Sequence, residues 1–241
     1  MNTIAFSVNN FFNRTLKDVS SLIFPEACLF CETELALNEI HFCGVCEMEL
    51  KRTYFEGFKE SSSLDKLFWG RINIEKTFAL FYFNSATPIR EILHHLKYEH
   101  KESLGIFMGK KIGIILRESA LFSDLDGLIP VPIHHKKEFI RGYNQSELLA
   151  RGICKEMGVS VIKNRISKRK HTSSQTKKSK QERWENVESV FYSQDLSSFK
   201  HVALVDDVIT TGSTIESLAS ELIKVNKHLK ISVISLAFAQ S

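Results

Sequence analysis

No run of about 18 apolar residues occurs in the 241-residue chain, so no segment has the length and apolarity of a bilayer-spanning helix. The opening stretch, Met1 to Asn13, lacks both the basic n-region and the continuous apolar core of a secretory signal. Together these absences predict a cytoplasmic protein with no membrane insertion. Compositional bias is missing as well. With 43% hydrophobic and 25% charged residues the chain lies in the ordinary globular range, which excludes a disordered or fibrous protein and predicts a packed core. Cysteine is sparse, at five residues, and without an export signal there is little reason to expect disulfides.

Four of those five fall in two pairs, Cys28-x2-Cys31 and Cys43-x2-Cys46. That spacing suits a tetrahedral zinc site of four thiolates, which leaves no open coordination position and so folds a small module without catalysing anything. His41 can compete as a ligand, but the four thiols are the regular set. Cys154 stands alone among the apolar positions of a helix and reads as a small buried thiol. Charge is also unevenly spread. Between Lys163 and Arg183 nine Lys or Arg face one acid, Glu182, a local +8 in a chain whose formal net charge is only +4. This basic segment has a specific partner or is solvated, and composition does not choose between these.

The length allows one sizeable α/β domain plus an accessory module, and the pattern predicts residues 1–60 as an N-terminal lead with the four-cysteine zinc module and 70–241 as the larger domain. An amphipathic lead covers 1–24. A polar stretch at Ser61-Ser62-Ser63 marks the boundary. Beyond it, Ile74 to Phe83 reads as a strand and Pro88 opens a helix. A second helix runs from Leu104 to Leu116, and Gly127 to Pro132 forms a short buried strand. A helix from Asn144 to Met157 follows. Strands are expected at Val159 to Ile162, Val187 to Tyr192, His201 to Val205 and Ile231 to Phe238, with a helix after Thr214. Strands alternating with helices in this way predict a mostly parallel α/β sheet flanked by helices.

The most informative run is Val205-Asp206-Asp207-Val208-Ile209-Thr210-Thr211-Gly212-Ser213-Thr214. An apolar strand passes into two carboxylates and then a turn of small hydroxyl residues that opens a helix. In an open parallel sheet such a turn lies beyond the carboxyl end of its strand, where ligand crevices form. The turn Thr210, Thr211, Gly212, Ser213, Thr214 offers hydroxyls and backbone N–H groups at a helix N-terminus, which favour a dianionic phosphate. Asp206 and Asp207 suit hydroxyl groups instead, so the natural ligand is a phosphate carried on a polyol such as ribose. Either half of the motif alone is also what a strand end and a helix cap produce. The whole run matches the signature with which type I phosphoribosyltransferases bind phosphoribosyl pyrophosphate (PRPP). That resemblance implies a type I phosphoribosyltransferase-like fold, with Asp206 and Asp207 as the catalytic acids on the ribose hydroxyls, the turn on the 5-phosphate, and Mg²⁺ arriving with PRPP. Some nucleobase-using members carry a carboxylate where this chain has Thr210. The base toward an acceptor is therefore missing here.

Further segments narrow the resemblance: Leu96-Lys97-Tyr98, Pro130-Val131-Pro132-Ile133-His134, Arg141-Gly142-Tyr143-Asn144-Gln145-Ser146, Leu149-Ala150, Thr172-Ser173-Ser174-Gln175, Arg183 and Asn186-Val187. With the Cys pairs they make the chain resemble the ComF (competence protein F) family from about Phe24 to Phe238. One departure is Glu32, where the family usually has Gly after the second Cys. The resemblance implies a role in DNA uptake during natural transformation, with single-stranded DNA and other competence proteins as partners. It also puts Arg141 and Lys137 on the pyrophosphate side of the pocket, although both are also plain surface cations. His134 and His135 read as loop residues. For residues 163–183 three readings stay open: a lid over pyrophosphate, a nucleic-acid surface or a solvated loop. The nucleic-acid candidates are Lys168, Arg169, Lys170 and Arg183, with Trp184 or Tyr143 for base stacking. The alternative function is an active phosphoribosyltransferase in nucleotide salvage or synthesis.

Overall fold

A computed structural model of the protein describes residues 26–84, 88–168 and 190–240. The expected lead helix at 1–24 lies outside them, as do Arg169, Lys170, Arg183, Trp184 and the motif pieces at 172–175 and 186–187. The chain divides into two units, Met1–Leu50 and Lys51–Ser241.

In the first unit the first Cys pair sits on a short turn, and the second opens a short helix, α1 (Gly44–Met48), with Cys43 at its N-cap and Cys46 within it. Among its described residues Phe42 is buried and stacks on Phe30 with ring centroids 4.9 Å apart, and Cys28, Cys46 and Leu50 are buried as well. Polar stapling supplements it. The carboxylate of Glu39 accepts from Ala36 N (2.8 Å) and Gly44 N (2.6 Å), and those backbone donors hold its pKa below the ordinary glutamate value.

The second unit is built on β1 (Thr77–Phe83), β2 (Gly127–Pro130), β3 (Ser160–Val161), β6 (His201–Ile209) and β7 (Lys230–Ala239). They form one sheet in the order β1-β7-β6-β2-β3, and every pairing in it is parallel. His201 to Val205 and Ile231 to Phe238 are buried without alternation, as expected of central strands covered on both faces. The covering helices are α2 (Ser63–Phe68), α3 (Ile89–Tyr98), α4 (Glu102–Ser119), α6 (Gln145–Met157) and α7 (Ser213–Val225). No helix among the described residues is long and apolar enough to cross a membrane.

Three elements go beyond the sequence expectations. Helix α2 starts inside the polar boundary stretch, where Ser62 and Asp65 form a reciprocal capping box. Helix α5 (His135–Arg141) follows His134, whose ring accepts from Lys136 N and caps it, so His134 and His135 belong to a helix start and not to a loop. Strand β4 (Ile166–Lys168) is the third; it pairs antiparallel with β5 (Phe191–Ser193), which overlaps the strand expected at Val187 to Tyr192, and the two stand outside the main sheet. The expected loop after Val205 is also shorter than the motif. Strand β6 continues to Ile209 because Asp206, Val208 and Ile209 stay in register with Ser235, Ala237 and Phe238 of β7, leaving Thr210 to Gly212 as the turn. Cys154 is half-buried rather than buried.

Helices α4 and α6 approach each other closely over glycine. A Cβ placed on Gly109 would lie 2.2 Å from the carbonyl oxygen of Leu149, and one on Gly152 would lie 2.3 Å from that of Ile106. Gly105 meets the Leu148 side chain and Gly113 the Ile153 backbone in the same way. This contact seats α6, and with it the side chains that its N-terminus carries, against β2 and β6.

Candidate functional site

Strand order decides where a ligand can sit. After β2 the chain passes through α5 and α6 to β3 on one side, whereas after β6 it passes through α7 to β7 on the other. Two neighbouring parallel strands whose connections leave in opposite directions make a crevice at their carboxyl ends. A cavity of about 240 Å³ lies there, lined by Val131 to His134 after β2 and by Asp206, Asp207, Val208 and Thr214 from β6 and the start of α7. Lys97, Lys137, Arg141, Gln145, Ser146 and Lys168 complete its wall.

Asp206 and Asp207 hold the floor. Ser146 Oγ donates to Asp206 Oδ1 at 3.1 Å, Asp207 N donates to the same oxygen at 2.9 Å, and Val208 N donates to Asp207 Oδ1 at 2.8 Å. The ammonium of Lys97 lies 3.0 Å from Asp207 Oδ2. Burial, and next the charge of Asp207 beside it, push the Asp206 carboxyl up to about 7. A ligand that brings hydroxyl donors or a cation to this pair relieves that repulsion.

Arg141 and Lys137 line the same cavity. Arg141 Nη1 donates to Gln145 Oε1 at 2.8 Å, and its guanidinium lies 5.6 Å from the Tyr98 ring centroid. Gln145 is only 1% exposed, yet its amide nitrogen Nε2 has no hydrogen-bond partner. A buried amide left without an acceptor costs on the order of 1–3 kcal/mol, so this donor pair, on the wall of a polar cavity, is suited to an anionic oxygen. Asn144 holds the arrangement together: its Nδ2 donates to Val131 O (3.0 Å), and its Oδ1 caps α6 by accepting from Ser146 N (3.0 Å).

The turn Thr210, Thr211, Gly212 and Ser213 joins the end of β6 to Thr214, the one member of the turn motif that lines the cavity. Gly212 occupies the N-cap of α7 at φ 73, and a Cβ there would come within 2.8 Å of the Phe68 ring. A left-handed backbone and a close neighbour both require glycine. Arg71 braces the turn by donating to Thr211 O at 2.8 Å and pairing with Glu216. The hydroxyl residues Thr210, Thr211, Ser213 and Thr214 remain exposed at the helix start.

In the first unit the sulfurs of Cys28, Cys31, Cys43 and Cys46 all lie within 4.8 Å of one another, with Cys31 and Cys43 3.6 Å apart. Thiolates on a tetrahedral zinc with bonds of about 2.3 Å sit roughly 3.8 Å apart, so the four can hold such an ion. No histidine is part of the cluster among the described residues.

No family model matches the chain. Individual relatives do. Competence protein F of Haemophilus influenzae is 27% identical over 82% of this chain and 84% of its own length. The DNA utilization protein YhgH of Escherichia coli K12 is 23% identical over 84% of this chain and 93% of its own. Competence protein ComFC of Bacillus subtilis is 31% identical over a shorter stretch, 45% of this chain and 43% of its own length. These relatives support the resemblance to the ComF family.

Several of the segments carrying the resemblance meet at the crevice: Lys97 from α3, residues 131–134 after β2, Arg141, Gln145 and Ser146 of α5 and α6, and the acids of β6. Lys137 and Arg141 come together with Asp206, Asp207 and Thr214 in one cavity. Lys168, a nucleic-acid candidate, lines the same cavity and lies 5.5 Å from the Phe191 ring. The fold adds Lys97, Gln145 and Ser146 to the cavity wall, which the sequence reading does not single out as site residues. Their signal was present as motif letters, but a lysine inside a helix and a glutamine at a helix start announce no chemistry until the fold turns them inward. Glu32 stands at φ 60, a left-handed position that glycine takes without strain, which accounts for the family's preference there.

Proposed function

We propose that this chain is a ComF-family protein that binds PRPP with Mg²⁺ in the crevice between β2 and β6 and acts in the handling of DNA during uptake, as the names of its relatives suggest. One observation carries the ligand assignment. A carboxylate pair on the central strand lines one cavity together with Lys137, Arg141 and Thr214 at the start of α7. The acids hold the ribose hydroxyls, the amides and hydroxyls of Thr210 to Thr214 hold the 5-phosphate, and the cations with the free amide of Gln145 hold diphosphate oxygens. A divalent cation bound with such a ligand would supply charge neutralisation there, with Asp206 and Asp207 as the carboxylates able to hold it. Calorimetry of PRPP with Mg²⁺ against the full chain tests this. Uptake should be clear for the native protein and fall at least tenfold in Asp206→Ala/Asp207→Ala, about 1.4 kcal/mol or more. Absence of uptake by the native chain would sink the assignment.

A second reading is an active phosphoribosyltransferase. It draws support from a neighbouring cavity, also about 240 Å³, that shares Pro132, Ile133 and Lys168 with the first and adds Glu138, Glu147 and Lys163. An acceptor there would attack the anomeric carbon as its bond to the diphosphate oxygen breaks and pyrophosphate leaves. Thr210 supplies no base for that step. Pyrophosphate release with a panel of nucleobases separates the two readings.

A further inference from the structure

Asp207 already has a cation. Lys97, one residue before the end of α3, holds its ammonium 3.0 Å from Asp207 Oδ2, with 23% of the lysine side chain and 13% of the aspartate side chain exposed. A lysine in the last turn of a helix ordinarily complements the helix dipole from solvent. This one lines the cavity, and α3 fixes it there, because its neighbour Leu96 is fully buried along with Ile89 and Ile92. Among the described residues it is the only cation paired with either acid; Arg141 donates to Gln145, and Lys168 lies by the Phe191 ring. Most of the other carboxylate oxygens are engaged too. Val208 N donates to Asp207 Oδ1, and Ser146 Oγ and Asp207 N donate to Asp206 Oδ1. Asp206 Oδ2 is the one oxygen of the pair without a partner among the described residues.

A sugar hydroxyl needs one acceptor, and Asp206 Oδ2 offers it. Magnesium asks for more: near-octahedral oxygen ligands at about 2.0–2.1 Å. It reaches Asp207 Oδ2 at that distance only by expelling the Lys97 ammonium, since the two positive charges would otherwise stand side by side in a partly buried site. We infer that Lys97 is the resident counter-ion of the acid pair, so that the ribose 5-phosphate half of the ligand binds without a divalent cation and the metal acts on the diphosphate half alone. This rests on the PRPP reading above and narrows it. Lys97 is then a positioning residue: it keeps Asp207 ionised and oriented toward the sugar, and a sugar monophosphate becomes a ligand in its own right. Without that ammonium two adjacent carboxylates face each other unbalanced, and a cation from solution becomes necessary.

The test is calorimetry of the full-length protein with ribose 5-phosphate, once in EDTA and once in Mg²⁺. Native protein should take up the sugar monophosphate in EDTA, with an affinity that changes by less than about twofold when Mg²⁺ is added. Lys97→Met, similar in length but uncharged, should lose about tenfold in EDTA and regain most of it in Mg²⁺, because a cation from solution then stands beside Asp207. Lys97→Arg keeps the charge and should bind in EDTA within about threefold of native. Equal weakening of Lys97→Met in both media marks a merely structural lysine and overturns the inference. So does Lys97→Met binding as tightly as native in EDTA. Native uptake that appears only with Mg²⁺, or only with PRPP, overturns it as well but leaves the PRPP reading standing. A native protein that takes up neither ligand in either medium overturns both. If melting curves show that Lys97→Met does not fold, the native comparison between EDTA and Mg²⁺ still decides.

Discussion

Asp206 is held up to about 7, against an ordinary value of 3.8, by burial first and by Asp207 second. The folded protein therefore binds this proton more tightly than the unfolded chain, and stability falls as pH rises from about 4 through about 7. Replacing Asp206 by Asn keeps an acceptor for Ser146 and removes the charge. Thermal melts of Asp206→Asn should show a gain of on the order of 2 kcal/mol at pH 8 and no gain below about pH 4, since both forms are then neutral. Equal melts at both pH values would mean the carboxyl ionises normally. Gln145 calls for the complementary experiment. Gln145→Met preserves volume and removes an amide nitrogen that lacks a partner, so folding stability should change by less than about 1 kcal/mol. Calorimetry should nonetheless find PRPP uptake weakened about tenfold, because a donor to the ligand and the partner of Arg141 both disappear.

Between elements the contact that matters most is that of α4 with α6. Backbone meets backbone there, and a methyl group at Gly109 has no flexible side chain to push aside: its neighbours are Leu149 O at 2.2 Å and Gly152 Cα at 2.9 Å. Gly109→Ala should cost about 3 kcal/mol or more and lower the melting temperature by roughly 10 °C. It should also weaken PRPP binding, because α6 carries Gln145 and Ser146 into the cavity and would be displaced. The glycines recur every four residues along α4, at Gly105, Gly109 and Gly113, and that regularity was legible in the sequence as helix-face spacing. Its partner face was not, since Gly152 lies 39 residues or more away and only the folded sheet brings the two helices together.

Across the whole molecule the two units have different sources of stability. The larger buries strands on both faces of a sheet; among its described residues the smaller buries Phe42, Leu50 and two cysteines, and its four clustered thiols can hold a metal ion. Chelation should release zinc and unfold residues 26–50, detected as new protease cleavage there, while the PRPP uptake of the second unit, read by calorimetry, persists. Loss of uptake on chelation would mean that the site depends on the metal module.

Sequence alone determined the class of sheet, the four-cysteine cluster and the acid pair followed by a hydroxyl-rich turn, because each is a local pattern: unbroken apolar strands, a repeated two-residue spacing between cysteines, and contiguous letters on one strand and turn. The strand order was decided only in three dimensions. It depends on which distant strands exchange hydrogen bonds, and it is what opens the crevice between β2 and β6 and aims Lys97, Lys137, Arg141, Gln145 and Lys168 at Asp206 and Asp207. The extension of β6 to Ile209 was decided there too, since the register with β7 keeps the backbone paired where turn-forming letters had suggested a loop. So was the exposure of Phe139, which no local pattern could distinguish from a core residue, because burial is a property of what packs against a helix and not of the helix itself.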